Sequence, residues 1–470
     1  MREGRERQKD WNVRVEPSSG NFVPPQLEVA RNPEWMREVF QRHLRRVDGG
    51  EYSVQSCRVS FVRIRDASRA LLEYNLRLRD PGTGREWDRV VTGVIYGRRR
   101  TESVWARLQR SDIPSVTIDG APELVPFTYV PDLDMLVQAF PHDHRLPALA
   151  QLMVGPPIEL EPLLRNRFGT GEWRVEGWSG EVVRYHPDRR ATLRLTVLAR
   201  EDQTGQQAQQ RFFAKVYRDE REAEQAFEVV RNLWDRAGAG GPGFTVARPI
   251  TYLCRLRALF QNEVPGPSLE DVLLREENPI PQVRQAARAL VVLHLSDVPA
   301  PRRRSRANQL ARLEDVRNLL RSAHPHLRRD IDEIVGAVVG GLEEVPLVPT
   351  HGELRAEHIL LDGDRLTLLD LDKFVSADPM RDVASFLVNV GMPRPPFLRP
   401  NDRDRTIMMS FVDEYFAHAP EDWGAGLPSH YAIAALSRAA ASYRKQERDW
   451  ESGIQVFLEE ARDSLCGRSW

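Results

Sequence analysis

A chain of 470 residues is long enough for two or three domains with cores of their own. With 41% hydrophobic and 29% charged residues and a formal net charge of −1, it has no global field for nucleic acid or a membrane surface. No apolar run approaches the ~18 residues of a spanning helix, and the charged start MREGRERQKDW has no apolar stretch of a secretory signal behind it. Cys57, Cys254 and Cys466 show neither metal nor disulfide spacing, so a cytoplasmic protein is expected.

Residues 1 to about 30 are polar, with Pro, Ser and Gly, the composition of a loose arm. Asn32-Pro33-Glu34 opens a helix predicted to reach about Arg46. Strand-like segments follow at Cys57 to Arg65, Ala70 to Leu78 and Arg89 to Tyr96. The last two are joined by Asp80-Pro81-Gly82-Thr83-Gly84, strong hairpin chemistry.

Sliding the chain along itself by 121 positions exposes a repeat. Phe61-Val62-Arg63-Ile64 falls on Val182-Val183-Arg184-Tyr185, and Arg69-Ala70 on Arg190-Ala191. Thr83-Gly84 falls on Thr204-Gly205, and Ile95-Tyr96 on Val216-Tyr217. Each copy reads as a small antiparallel sheet with one helix, and duplication is the simplest account.

Lysine occurs only at Lys9, Lys215, Lys373 and Lys445, so a generic positive charge in this chain is an arginine. Lys215, inside the apolar strand Phe212 to Tyr217, therefore invites a specific explanation. The following helix, Glu220 to about Trp234, carries Glu224 and Glu228 one turn apart. In the first copy Val94 stands in place of Lys215, with Ser103 and Arg107 in place of the glutamates.

His186-Pro187-Asp188-Arg189-Arg190 reads as a turn at the tip of the second copy's first hairpin. Gly238 to Gly243 reads as a flexible connection. After Leu259 to Gly266 the chain becomes mostly helical, with Ser268 a candidate N-cap and Pro281 to His294 amphipathic. His294 reads as a packed core histidine, and Arg302 to Arg306 as a solvated helix start. Helices are predicted at about 403–417, 429–446 and 449–465. Residues 401–470 hold 12 acidic and 8 basic residues, compatible with a cationic substrate or an ordinary surface.

The stretch Val348 to Phe374 organises the rest. An apolar lead-in reaches His351-Gly352-Glu353, a charged loop runs to His358, and Ile359 to Leu361, Asp362-Gly363-Asp364 and Leu366 to Leu371 read as a hairpin. Asp370 and Asp372 close it. His-Gly-Asp-x-x-x-x-Asn, a hairpin and then Asp is the signature of the aminoglycoside phosphotransferase and choline kinase group, which this stretch resembles. Glu353 stands where the group has its Asp, and His358 where it usually has Asn; the group's macrolide-modifying members also carry His there.

The resemblance covers roughly residues 165 to 465. It implies an α+β, bilobal, protein-kinase-like fold: an antiparallel-sheet N-lobe and a helical C-lobe, here with an additional N-terminal sheet-and-helix domain. The expected divisions are a flexible arm (1–30), a degenerate N-lobe-like repeat (31–155), the kinase N-lobe (156–264) and the helical C-lobe (265–470) with its catalytic loop at 348–374. By the same resemblance Lys215 anchors the α- and β-phosphates, paired with Glu224 or Glu228. Arg190 touches a phosphate or sits on a solvent-facing tip. Gln261, Glu263 and Val264 belong to the hinge that meets the base.

Asp370 binds Mg²⁺, with His358 as second ligand and Asp372 as helper. A metal-binding His358 must be neutral, so activity would fall in acid. Glu353 is the catalytic carboxylate, its extra methylene moving the accepting oxygen by ~1 Å, a shift that costs about a hundredfold where it is not compensated. Arg355 neutralises the transferred phosphoryl or pairs with Glu353 or Glu357. Asp382, in Asp378-Pro379-Met380-Arg381-Asp382, braces the loop.

The function implied is transfer of the γ-phosphate of ATP or GTP, with Mg²⁺, to a hydroxyl of a small metabolite or antibiotic-like molecule. The alternative is a pseudokinase that binds nucleotide or a partner without efficient catalysis. No nucleic-acid or membrane partner is expected, and the first copy is left to pack, cap, dimerise or bind a partner protein.

Overall fold

In a computed structural model the described residues are 26–66, 69–96, 101–110, 116, 122–237, 243–392, 395–445, 447 and 449–468. Gln26–Ala30 is already a turn of helix, with Leu27 and Ala30 buried and Tyr74 Oη donating to Ala30 O at 2.8 Å. The arm expected to reach residue 30 thus gives way to a docked segment by Gln26, because two apolar side chains at i and i+3 share one face. Its first 25 residues lie outside the described ones. The helix Pro33–His43 follows, with the Asn32 side chain accepting from the Glu34 and Trp35 amides.

Strands β1 (Ser53–Asp66), β2 (Arg69–Arg79), β3 (Glu86–Tyr96), β4 (Phe127–Val130) and β5 (Met135–Ala139) form an antiparallel sheet in the order β1-β2-β3-β5-β4, with helix Thr101–Leu108 between β3 and β4. A second sheet is built from β6 (Trp173–His186), β7 (Arg190–Glu201) and β8 (Gln207–Tyr217), then helix Glu220–Ala237. After β9 (Thr245–Val246), strands β10 (Pro249–Leu253) and β11 (Ala258–Asn262) complete it in the order β6-β7-β8-β11-β10. The two orders are the same.

The likeness extends to local defects. Register slips between Val54 and Ser56 in β1 and between Val175 and Gly177 in β6, positions that the self-alignment superimposes. Gly84 and Gly205 adopt φ +68° and +70°, each amide donating at 2.9 Å to the carbonyl of Asp80 or Glu201. A β-carbon disfavours that conformation, which explains glycine at both turns. Residues 238–242 of the expected flexible connection lie outside the described ones.

The helical half comprises Leu269–Arg275, Ile280–His294, Arg306–Ala323, Arg328–Gly341, Met380–Gly391, Asp402–Phe416, Leu427–Lys445 and Trp450–Leu465. Ser268, Ser305 and Asn401 each start a helix with a reciprocal capping box. His294 is buried as expected, hydrogen-bonded to Tyr415 Oη at 2.7 Å. Strands β12 (Val348–Thr350) and β15 (Val375–Ala377) pair, and β13 (Ile359–Asp362) and β14 (Arg365–Leu368) form the expected hairpin. Strand β14 also pairs in parallel with β9, tying the hairpin to the chain that follows helix Glu220–Ala237. It ends at Leu368, short of the expected Leu371, because Asp370 takes the left-handed region (φ +58°) and Leu371–Lys373 is a single tight turn. The fold is the α+β, bilobal one expected. Among the described residues no helix is long and apolar enough to cross a membrane.

Candidate active site

The loop 351–358 is held mainly by Asp382, the fully buried carboxylate on helix Met380–Gly391. Its oxygens accept from the His351 amide (2.5 Å) and the Gly352 amide (2.8 Å), and His294 Nε2 lies 3.3 Å away. Burial opposes the charge, yet the hydrogen bond and charge of His294, with His351 and Arg381, hold the carboxyl below its ordinary value. Arg381 donates to Gly352 O, Ser385 Oγ to Leu354 O, and Asn389 Oδ1 accepts from the Ala356 amide. One helix thereby fixes the loop's backbone at four residues, and the bracing role expected of Asp382 is visible.

Across from this loop, Lys215 Nζ lies 3.0 Å from Asp370 Oδ1 and 3.2 Å from Asp372 Oδ1. Arg190 Nη2 reaches Asp370 Oδ2 at 3.2 Å, its Nη1 bonds Asp372, and Tyr217 Oη donates to Asp372 Oδ1 at 2.9 Å. Burial disfavours charge on Lys215, but Asp370 and Asp372 outweigh it and hold the ammonium above its usual range. The reverse holds for Asp370, kept well below the ordinary carboxyl value against its burial by Lys215 and Arg190. Lys215 of the sheet lobe and Asp370 of the helical lobe are therefore charged together.

Glu353 points to the same cleft. Its carboxylate is bonded to both Arg355 and Lys373, and these cations overcome burial to hold it far below the usual value. Arg355 Nη1 also lies 3.7 Å from Glu357. His358 Nδ1 is 3.0 Å from Glu353 O, its ring stacks on His351 with centroids 5.5 Å apart, and its Nε2 is 3.6 Å from Asp370 Oδ2. Lys373 and Tyr217 belong to this site although the motif does not point to them; the scarcity of lysine was a signal for Lys373 as much as for Lys215.

Three sequence expectations need correction or placement. Glu224 and Glu228 are both exposed, and among the described residues the ion partners of Lys215 are Asp370 and Asp372. Helix Glu220–Ala237 buries Ala223, Ala226, Val230 and Leu233, an apolar stripe that turns both glutamates to solvent. The 186–190 turn is not a solvent-facing tip: Asp188 is 0% exposed. Of the hinge candidates, Gln261 pairs with Phe213 in β8, Glu263 binds Arg211 (2.8 Å) and Arg194 (3.4 Å), and Val264 is half-buried just beyond β11.

Residues 193–420, from β7 through helix Asp402–Phe416, match the model of the phosphotransferase enzyme family. That stretch, just under half of the chain, is similar to the family the catalytic loop resembles. No curated protein sequence matches this chain. Among solved structures it is similar to a choline/ethanolamine kinase family protein from Mesorhizobium loti, with 15% identity over 58% of this chain and 89% of that one and a TM-score of 0.41. A choline kinase from Cryptosporidium parvum Iowa II gives 10% identity, 62% and 89% coverage and a TM-score of 0.43. An ADP-bound aminoglycoside phosphotransferase gives 13% identity, 66% and 99% coverage and a TM-score of 0.42.

Proposed function

We propose that the protein transfers the γ-phosphate of ATP or GTP to a hydroxyl of a small molecule. The observation that carries this reading is the convergence of Lys215 and Arg190 from the sheet lobe on Asp370 and Asp372 of the helical lobe. Phosphoryl transfer needs cations for the phosphates, hard ligands for a metal and an oriented hydroxyl, and this cleft supplies each type. Lys215 and Arg190 exchange carboxylate partners for phosphate oxygens when nucleotide enters. Asp370 Oδ2 and His358 Nε2, 3.6 Å apart, would hold a divalent cation between them, with Asp372 as helper. A bound Mg²⁺ contributes charge neutralisation on the phosphates.

Glu353 orients the acceptor hydroxyl and takes its proton as the new O–P bond forms and the bond to the leaving diphosphate breaks. Arg355, beside it, offsets charge on the transferred group. The acceptor is a small molecule bounded by the helices after Asp382, and the protein acts in the cytoplasm. The sheet of β1–β5 is a degenerate copy of the β6–β11 lobe within residues 31–155.

A second reading has one observation in its favour. The Glu353 carboxylate is already bonded to Lys373 and Arg355, so it is a weaker proton acceptor than an unpaired carboxylate. On that reading the chain binds nucleotide without efficient transfer. The two part company in one experiment: melting temperature with and without ATP and Mg²⁺, then ADP formation across sugars, aminoglycosides and macrolides. A shift with ADP formation that Glu353→Ala abolishes supports the kinase; a shift with no ADP formation supports the second reading. No shift at all overturns both.

A further inference from the structure

The 186–190 turn joins two sites. On one side Arg190 reaches Asp370 and Asp372. On the other, two residues away, Asp188 is driven into the first sheet: Arg69 Nη2 lies 2.5 Å from its Oδ2 and Arg145 Nε 3.7 Å from its Oδ1. The Asp188 amide donates to Asp143 Oδ2 at 2.6 Å, which Tyr185 Oη also reaches at 2.9 Å. Hairpin tips are ordinarily wet. This one is pinned by an ion pair whose carboxylate is fully buried, with Asp188 held at φ +65°.

The geometry repeats that of the catalytic cleft. Arg69 and Tyr96 occupy in the first sheet the positions of Arg190 and Tyr217 in the second. Arg69 Nη2 donates to Tyr96 Oη at 3.2 Å, its guanidinium lies 4.7 Å over the Tyr96 ring, and both belong to the surface that takes in Asp188. In the second sheet Arg190 and Tyr217 both bond Asp372. In each case an arginine from the start of the second strand pairs with an aspartate supplied from further along the chain, and the tyrosine that ends the third strand bonds that aspartate in the second sheet and the arginine in the first. The first sheet's cleft is filled in cis by the tip of the second, and a cleft so filled needs no phosphate lysine, consistent with Val94 in place of Lys215.

We infer that the first sheet is a brace for the phosphate-covering turn, and that Arg69 and Asp188 are positioning residues acting through Arg190. This rests on the reading that Arg190 meets nucleotide phosphate. Breaking a buried pair from one side leaves a charge unpaired and frees what it pinned. The test uses the full chain with Arg69→Ala, and Tyr96→Phe as a milder variant should the first fail to fold.

Hydrogen exchange without nucleotide is expected to accelerate at least ~10-fold in residues 185–190 while β8 keeps its protection. Unchanged exchange there, or equal acceleration in β8, overturns the brace. ATP affinity then gives a double-mutant cycle. Arg69→Ala should weaken binding ~10-fold in the wild type and less than ~2-fold in an Arg190→Ala background, because the first residue acts through the second. Additive losses overturn the coupling. Absence of ATP binding by the wild type sinks the phosphotransfer reading instead, and the exchange measurement still decides the brace.

Discussion

Lys215 Nζ and Asp370 Oδ1, 155 residues apart in the chain, meet at 3.0 Å across the cleft between the two lobes. Lys215 sits on a rigid central strand, between β7 and β11, and Asp370 on the left-handed residue that ends the hairpin. On the proposed role of Lys215, removing the ammonium takes away a charge-assisted contact to phosphate worth about 1.5–3 kcal/mol. Lys215→Met should therefore weaken ATP binding by about 10- to 150-fold, read by calorimetry. The fold should persist, since Arg190 still neutralises Asp370. Unaltered affinity would remove Lys215 from the site.

Glu353 gives a sharper contrast between substitutions. Glu353→Ala strips a carboxylate from between two cations and should lower turnover by about 10²–10⁴-fold, the span of a lost acid–base group. Lys373→Met leaves Glu353 with Arg355 alone and raises its proton affinity, so turnover should respond less than to Glu353→Ala. Steady-state rates for the two variants, at saturating ATP, check the order; equal losses would assign Glu353 a structural role.

The site's legibility in sequence was uneven for identifiable reasons. Lys215 stood out because a lysine inside an apolar strand is anomalous in an arginine-rich chain, and Asp370 because a turn and a hairpin fix its position. The Glu224 and Glu228 pairing failed although its refutation was visible: Ala223, Ala226, Val230 and Leu233 repeat at helical spacing and mark the buried face. Arg190 was undecidable locally, since its partners are 180 and 182 residues away. The burial of Asp188 was beyond local reasoning altogether, because Arg69 and Asp143 come from a different sheet and its linker. The helical half was read well where N-caps and apolar periodicity coincide, as at Ser268 and Ile280–His294.

Acid should destabilise the protein well before its carboxylates titrate. His144, beside this cluster, is lowered from 6.5 to about 3 by burial and then by Arg145 and Arg69, with Tyr96 Oη on Nε2 and Gln138 Oε1 on Nδ1. A histidine neutral when folded but protonated when unfolded binds fewer protons in the native state, so its stabilising contribution is full above the unfolded value and falls as pH drops below 6.5 towards 3. The slope is about 1.4 kcal/mol per pH unit for one such group. Melting temperature should decline from pH 6.5 downwards, and His144→Gln should flatten that decline between 6.5 and 4.5. A decline of undiminished steepness in the variant would move the cause to other groups.

Gly352 tests how tightly the loop is built. It adopts φ +85°, where an added Cβ would run into the Lys373 carbonyl, and its amide and carbonyl are both engaged, by Asp382 and Arg381. Alanine there combines left-handed strain of about 1–2 kcal/mol with a backbone clash that forces the loop away from Lys373. Gly352→Ala should lower stability by about 2–4 kcal/mol, seen as a lower denaturant midpoint with unchanged slope. Because Lys373 holds the Glu353 carboxylate, the same displacement loosens Glu353, so turnover should fall further than ATP affinity, for which Lys215 and Arg190 on the opposite lobe are the proposed anchors. Equal losses in both would mean that the loop and the phosphate anchors move as one body.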